Sequence, residues 1–290
     1  MSASPIHRLA LATSVIIPDI HPDDAHLAAT LQRLGIEPVA CVWNNPEVDW
    51  SQFDAVLIRT TWDYFKHYTA FRQWLDQLPV PTINNKALLR WNSDKRYLLE
   101  LAAHGVEIIP TQMVPASQLL QTLAAMPAQQ VVVKPTVSGT ARHTARGSSD
   151  DAMFKQIVAR LPAEFDYLVQ PFVPEVVSDG EWSLLFFDGE FSHAVIKRPA
   201  TGDYRVQSEF GGTTQAIEPN PALVASAKRV LEAAAALGHA DAAYARVDGV
   251  IVQGRFLLME LEMIEPCLHF EGRQEAAERF AENLRRRLAA

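Results

Sequence analysis

Apolar residues fall into short runs separated by turn residues, and their spacing alternates between strand-like and helix-like periods. The run at 8–17 reads as a buried strand. Pro22, behind His21, opens a helix whose apolar positions Leu27, Leu31 and Leu34 recur at helical spacing and stop at Gly35. Strands at 38–43 and 54–59 follow. Strand, helix and strand at this spacing form a βαβ unit, so a small parallel sheet is expected in the first part of the chain. Further on, the pattern predicts a helix over 97–103 capped by Asn92-Ser93-Asp94, a strand at 106–110 and a helix at 116–125. It then gives a strand at 131–134, a helix at 150–161 and a strand at 167–173. A hairpin at 182–197 turns on Asp188-Gly189, and helices at 221–237 and 274–288 complete the set.

The segment 244–266 breaks the rule that buried strands are apolar. Two apolar runs flank Gln253-Gly254, which predicts an antiparallel hairpin, yet Arg246, Asp248, Glu260 and Glu262 interrupt them. Alternation puts Arg246 and Asp248 on one face of the first strand and Glu260 and Glu262 on one face of the second. A loop of roughly three residues would set Asp248 opposite Glu260. Three converging carboxylates suit a hard divalent ion, most naturally Mg²⁺ on a nucleotide's phosphates, with Arg246 facing phosphate oxygen. The alternative is that Arg246 pairs internally with one acid while the others reach solvent.

Two other stretches carry chemistry. The strand at 131–134 delivers Lys134 into a loop of small and hydroxyl residues, 136–147, whose amides can approach phosphate oxygens. Neither the Walker A pattern nor the dinucleotide fingerprint fits it. The third strand ends in Arg59-Thr60-Thr61-Trp62-Asp63-Tyr64, at the carboxyl edge where such sheets take ligands. That cluster either grips a small substrate or uses Trp62 to plug the domain edge.

Composition narrows the field. The chain has 290 residues, 48% of them hydrophobic and 21% charged, which is ordinary for a globular protein of one large or two modest domains. A net charge of −8 argues against general nucleic-acid or membrane-surface binding, so an anionic ligand needs a local basic cluster. With only Cys41 and Cys267, no disulfide framework is expected and a cytoplasmic location is. The opening apolar run lacks the marks of a signal peptide.

The order Lys134, Gln170 to Val173, Arg205, Arg246-x-Asp248, Glu260-x-Glu262 resembles that of the ATP-grasp superfamily over essentially the whole chain. The resemblance implies an α/β fold with an N-terminal parallel αβ pre-ATP-grasp domain over 1–91, a lid and nucleotide lobe over 92–172, and a catalytic lobe over 173–290. It further implies that Lys95 and Lys134 touch the α- and β-phosphates and that Ser138, Gly139 and Thr140 lie in a mobile lid. Gln170, Phe172 and Val173 would line the adenine hinge, Glu181 the ribose, and Arg205 and Gln207 the γ-phosphate. Arg246 would steady the transferring phosphoryl group, and Asp248, Glu260 and Glu262 would hold one or two Mg²⁺ ions, with Mn²⁺ as a substitute. Two departures stand out: Pro171 replaces a hinge glutamate, and Glu262 stands where asparagine is common.

Within the superfamily, Trp62-Asp63-Tyr64 and Asn92-x-Asp94-Lys95 look most like the glutathione synthetase and ribosomal-protein glutamate ligase group, and like the ring-forming ligase of cycloserine biosynthesis. The implied function is ATP-dependent activation of a small carboxylate as an acyl phosphate, then attack by an amine on another molecule or the same one. Glu265, His269 and Arg273, just past the strand carrying Glu260 and Glu262, are candidates to face the acceptor, with a satisfied structural histidine as the alternative for His269. Small-molecule kinase activity, or nucleotide binding without turnover, are the alternatives, and a homo-oligomer is compatible with either.

Overall fold

The computed structural model describes residues 7–289. Its N-terminal layer is a four-stranded parallel sheet of order β2-β1-β3-β4. The strands are β1 (His7–Thr13), β2 (Ile36–Val42), β3 (Ala55–Ile58) and β4 (Thr82–Ile83), with helix α1 (Ala25–Arg33) crossing from β1 to β2. Alternation works on both faces. Leu9, Leu11, Ala55 and Leu57 pack toward α1, while Ala10, Ala12, Val56 and Ile58 pack toward an aromatic cluster of Trp43, Phe71 and Tyr64.

Helices α2 (Tyr68–Gln77) and α3 (Lys86–Asn92) follow, neither of them expected from the sequence reading. Asn92 therefore ends a helix and does not cap the next one. Its buried amide donates to Leu261 O at 2.7 Å and accepts from Met263 N at 2.8 Å, tying this layer to the last hairpin. Asn84, between β4 and α3, does the same, bonding Ala243 N, Tyr244 O and Met263 O. Helix α4 (Tyr97–Ala103) then leads to a second sheet of order β5-β8-β6-β7. Its members are β5 (Gln112–Pro115), β6 (Gln130–Pro135), β7 (Ala145–Ser148) and β8 (Asp166–Pro171), backed by α5 (Leu119–Ala125) and α6 (Ala152–Val158). The strand expected at 106–110 is not formed. Ile108 makes a single bridge to Leu258, and the ladder begins only beyond Pro110, at Gln112.

Past a single-turn helix, α7 (Glu175–Ser178), the third sheet is five-stranded, of order β11-β10-β9-β12-β13. It comprises β9 (Glu181–Phe187), β10 (Glu190–Arg198), β11 (Thr213–Ile217), β12 (Tyr244–Val252) and β13 (Arg255–Glu262). Helix α8 (Pro221–Ala236) covers one face through Leu223, Ala227 and Val230. Helix α9 (Gln274–Leu288) places Phe280, Ala281 and Leu284 against Phe187 and Tyr244, in the core shared with β1 and α1.

Candidate active site

The β12–β13 hairpin closes through a two-residue turn, because Val252 pairs with Arg255. Gln253 and Gly254 both have positive φ, as a type I′ turn requires. An even loop alone would give the wrong parity. A bulge between Asp248 and Gly249, which leaves Met259 as the extra residue, restores it, so Asp248 faces Glu260 and Arg246 faces Glu262. The expected pairing stands, but a bulge and not a three-residue loop produces it.

Arg246 is drawn into this cluster. Its Nη2 lies 2.9 Å from Asp248 Oδ2, it also bonds Glu262, and its Nη1 reaches Cys267 O at 3.1 Å. Arg246 thus pairs with two of the acids at once, more than the internal alternative foresaw. Asp248 additionally accepts from Ser183 Oγ at 2.6 Å and lies 3.4 Å from Lys197 Nζ, which also pairs with Glu181 at 2.5 Å. Burial works against ionised Asp248, yet Arg246 and Lys197 outweigh it and hold the carboxyl well below its ordinary range. Lys197 is buried and central, yet nothing next to it in the chain marks it, since its partners Glu181 and Asp248 lie on other strands.

Lys95 joins from the helical side, with Nζ 3.0 Å from Glu260 and 2.7 Å from Ser138 O. Burial pushes the Lys134 ammonium down while the Glu260 carboxylate, with which it makes no ion pair, pulls it up. Burial likewise raises Glu260, but Lys95 and then Lys134 bring it below its usual value. The structure therefore gathers Lys95, Lys134, Glu181, Arg246, Asp248, Glu260 and Glu262 as one charged centre. Lys197 brings the cations to four against these four carboxylates, and Glu265 beside them is a fifth acid. Burial, with Asp248 and Glu260 adding to it, raises Glu262 to about 7 despite Arg246. Burial and the neighbouring Glu262 raise Glu265 to about 8.

The lid loop after β6 folds onto the N-terminal layer. Val137 packs with Phe65 and Ile264, and a Cβ on Gly139 would lie 2.5 Å from the Phe65 ring. Thr140 and Ala141 follow with positive φ, a conformation that L residues adopt at a cost.

Other expected residues sit elsewhere or face differently. Arg205 pairs locally with Asp203 at 2.7 Å and stacks 3.6 Å over Phe210, bonding none of the hairpin acids. The short Asp203-x-Arg205 spacing makes that local pair, and a polar loop gives no periodicity to foresee it. Gln207 keeps a buried Oε1 without a partner. Gln170 turns its amide to Thr111. At the hinge, the Phe172 amide continues the sheet by donating to Gln130 O at 2.8 Å, which removes it from adenine reading. Its ring instead lies under the Arg146 guanidinium at 3.6 Å, and Val173 packs near Val176 and Val250. Arg273 bonds Ala194 O, a structural role. His269 and Glu265 remain beside the centre, with Trp62 donating to the Glu265 carbonyl.

A charged centre between an αβ layer, a second sheet and a carboxylate hairpin is the arrangement that the ATP-grasp resemblance implies. The comparisons agree and go further. Residues 9–84 match the family model described as the D-cycloserine synthetase DcsG N-terminal domain. The cycloserine biosynthesis protein DcsG of Streptomyces lavendulae is 34% identical over 97% of this chain and 98% of its own length. Glutathione synthetase of Rhodopseudomonas palustris is 27% identical over 60% of the chain and 55% of its own. Among solved structures, D-cycloserine synthetase DcsG superposes with a TM-score of 0.88 at 34% identity, covering 97% of this chain and 99% of that one. A RimK-domain ATP-grasp protein from Sphaerobacter thermophilus shares the fold, with a TM-score of 0.70 at 16% identity, covering 96% of this chain and 98% of that one. The chain belongs to the D-cycloserine synthetase family of ATP-grasp ligases. It is an ATP-dependent ligase, and among its described residues no helix is long and apolar enough to cross a membrane.

Proposed function

We propose that the enzyme closes a ring within one small amino acid, joining its carboxylate to an aminooxy nitrogen as in D-cycloserine. Adding water across the ring amide of D-cycloserine gives the open precursor, β-aminooxy-D-alanine. The single observation that carries the reading is similarity to DcsG over 97% of the chain together with the assembled Lys95, Lys134, Arg246, Asp248, Glu260 and Glu262 centre.

A carboxylate resists attack because its charge is delocalised. Its oxygen attacks the γ-phosphorus of ATP, the bond to ADP breaks, and an acyl phosphate results. The aminooxy nitrogen then attacks the acyl carbon, phosphate leaves with the bonding pair, and the nitrogen's proton passes to solvent. The protein's share is positioning and charge neutralisation. Lys95 and Lys134 would meet phosphate oxygens, and Arg246 the transferring group once it releases Glu262. The lid held on Phe65 and Lys95 excludes water from the acyl phosphate.

The donor set fits Mg²⁺. Asp248, Glu260 and Glu262 offer only hard oxygen, and burial first, then Asp248 and Glu260, raises Glu262 against the pull of Arg246 and Lys197. Among the described residues, no three acidic, thiol or imidazole side chains stand grouped to hold a metal ion; Glu262 pairs with Arg246 and Glu260 with Lys95. The ion would supply neutralisation of the phosphates. Soluble, cytoplasmic action on small molecules belongs to the same proposal.

The reading is tested by incubating the enzyme with Mg·ATP and β-aminooxy-D-alanine. ADP, phosphate and a product lighter than the precursor by one water are expected. A phosphorylated amino acid accumulating without phosphate release would point to a kinase. ATP binding without ADP formation across amino-acid pools would point to a protein without turnover.

A further inference from the structure

We propose that Arg59 seats the substrate's carboxylate, holding the oxygen that does not attack phosphorus; this rests on the ligase reading above. Arg59 directly follows β3 at the carboxyl edge of the parallel sheet and is 3% exposed. Its Nε and Nη2 grip Asp24 at 3.0 and 2.9 Å, and Nη2 also reaches Pro266 O at 3.2 Å. Among the described residues its Nη1 is buried without a hydrogen-bond partner, the guanidinium's other neighbour being the Tyr244 ring, with its centroid 6.0 Å away. A guanidinium N–H without an acceptor inside a protein is rare and costs stability, so it calls for a ligand.

The hydroxyls beside it are in the same condition. Thr60 and Thr61 at the end of β3, and Ser14 at the end of β1, each keep a buried oxygen without a partner. The strand ends are laced together, since Arg59 and Thr60 both donate backbone N–H groups to Ala12 O. Asp63 Oδ2 is also unpartnered, but that side chain turns away to take Trp43 Nε1 at 2.7 Å. What remains on the edge is an arginine N–H and three hydroxyls, the donors a carboxylate accepts.

Position links this edge to the reacting centre. Arg59 donates to Pro266 O and Arg246 to Cys267 O, so the two guanidiniums hold successive carbonyls just downstream of β13. Arg246 sits among the proposed metal ligands and Arg59 on the side of the N-terminal sheet. A carboxylate between them presents one oxygen to the phosphoryl group and the other to Arg59. That second oxygen gains negative charge when the nitrogen attacks, so the same N–H serves both steps. Asp24 acts as the positioning residue by fixing the guanidinium fork.

The test separates binding from turnover. β-Aminooxy-D-alanine is titrated calorimetrically into enzyme loaded with Mg·ADP, and steady-state KM is measured for it and for ATP. Arg59→Lys keeps the charge opposite Asp24 but loses the fork. Its KM and Kd for the amino acid should rise by about 10- to 100-fold while KM for ATP stays within about twofold. The double variant Arg59→Met/Asp24→Leu removes the buried pair together, so it leaves no unpaired charge, and it should show the same loss with an intact Mg·ADP thermal shift. Unchanged amino-acid binding in either variant, or parallel loss of both substrates, overturns the assignment. Wild-type enzyme that neither binds nor converts the amino acid brings down the ring-closing reading and this proposal with it. Wild-type conversion with unaffected variants brings down this proposal alone.

Discussion

Removing Lys197 should unmask how much the charged centre depends on a residue that has no mark in the sequence. Its ammonium lies between Glu181 at 2.5 Å and Asp248 at 3.4 Å, with side-chain exposures of 11%, 11% and 3%. In Lys197→Met, Asp248 keeps Arg246 and Ser183, whereas Glu181 loses its one close cation. Breaking a buried pair from one side costs about 3–5 kcal/mol. Protonation of Glu181 limits that cost, because burial already raises this carboxyl above its ordinary value. A raised folded-state pKa means the protonated form is favoured on folding, so the variant's deficit shrinks as pH falls toward 4.5 and grows as it rises. Urea denaturation at pH 8 and pH 5 reads both effects. The deficit should be about 3 kcal/mol at pH 8, smaller at pH 5, and largely absent when Glu181→Gln is present in both proteins. A deficit below about 1 kcal/mol at pH 8, or one indifferent to Glu181→Gln, would refute the reasoning.

Three further outcomes follow from the same geometry. Gly139→Val should drive a side chain into Phe65, prevent lid docking and lower amino-acid-dependent ADP release at least about tenfold; adding Phe65→Ala should recover part of it, and no recovery would place the defect elsewhere. Lys134→Ala should lose the thermal shift given by Mg·ATP, and an undiminished shift would remove Lys134 from the nucleotide site. Burial lowers His193 to about 4, so the unfolded chain takes up its proton first and stability falls on acidification from pH 6.5 toward 4, by about 3 kcal/mol. His193→Gln should flatten that slope in a pH series of melts, and an unchanged slope would assign it to other groups.

What could be read in advance follows the range of the interactions involved. Strand alternation is local and strict, so Arg246, Asp248, Glu260 and Glu262 were legible as one face, and the strand carrying Lys134 likewise. The bulge at Met259 was not, because it is set by pairing across the sheet and leaves no residue signature. Asn92 reads as a cap residue and Asn84 carries no mark, yet they bridge to Leu261 and Tyr244, more than a hundred positions away. Arg59 and Asp24 lie 35 residues apart and become a pair only when the parallel sheet closes. The helix at Tyr68–Gln77 did carry a signal, the helical spacing of Phe71, Leu75 and Leu78, that went unused. Arg205 shows the converse limit. Its place in the chain order resembles a phosphate ligand, while two positions away Asp203 captures it.

The central claim, that the hairpin acids hold a metal-chelated nucleotide, is met most directly by following Mn²⁺ binding by electron paramagnetic resonance in the presence of ADP. Wild-type enzyme should bind the ion together with the nucleotide, and Glu260→Gln, though folded, should bind it at least about tenfold more weakly. Equal Mn²⁺ binding by wild type and Glu260→Gln would contradict the account.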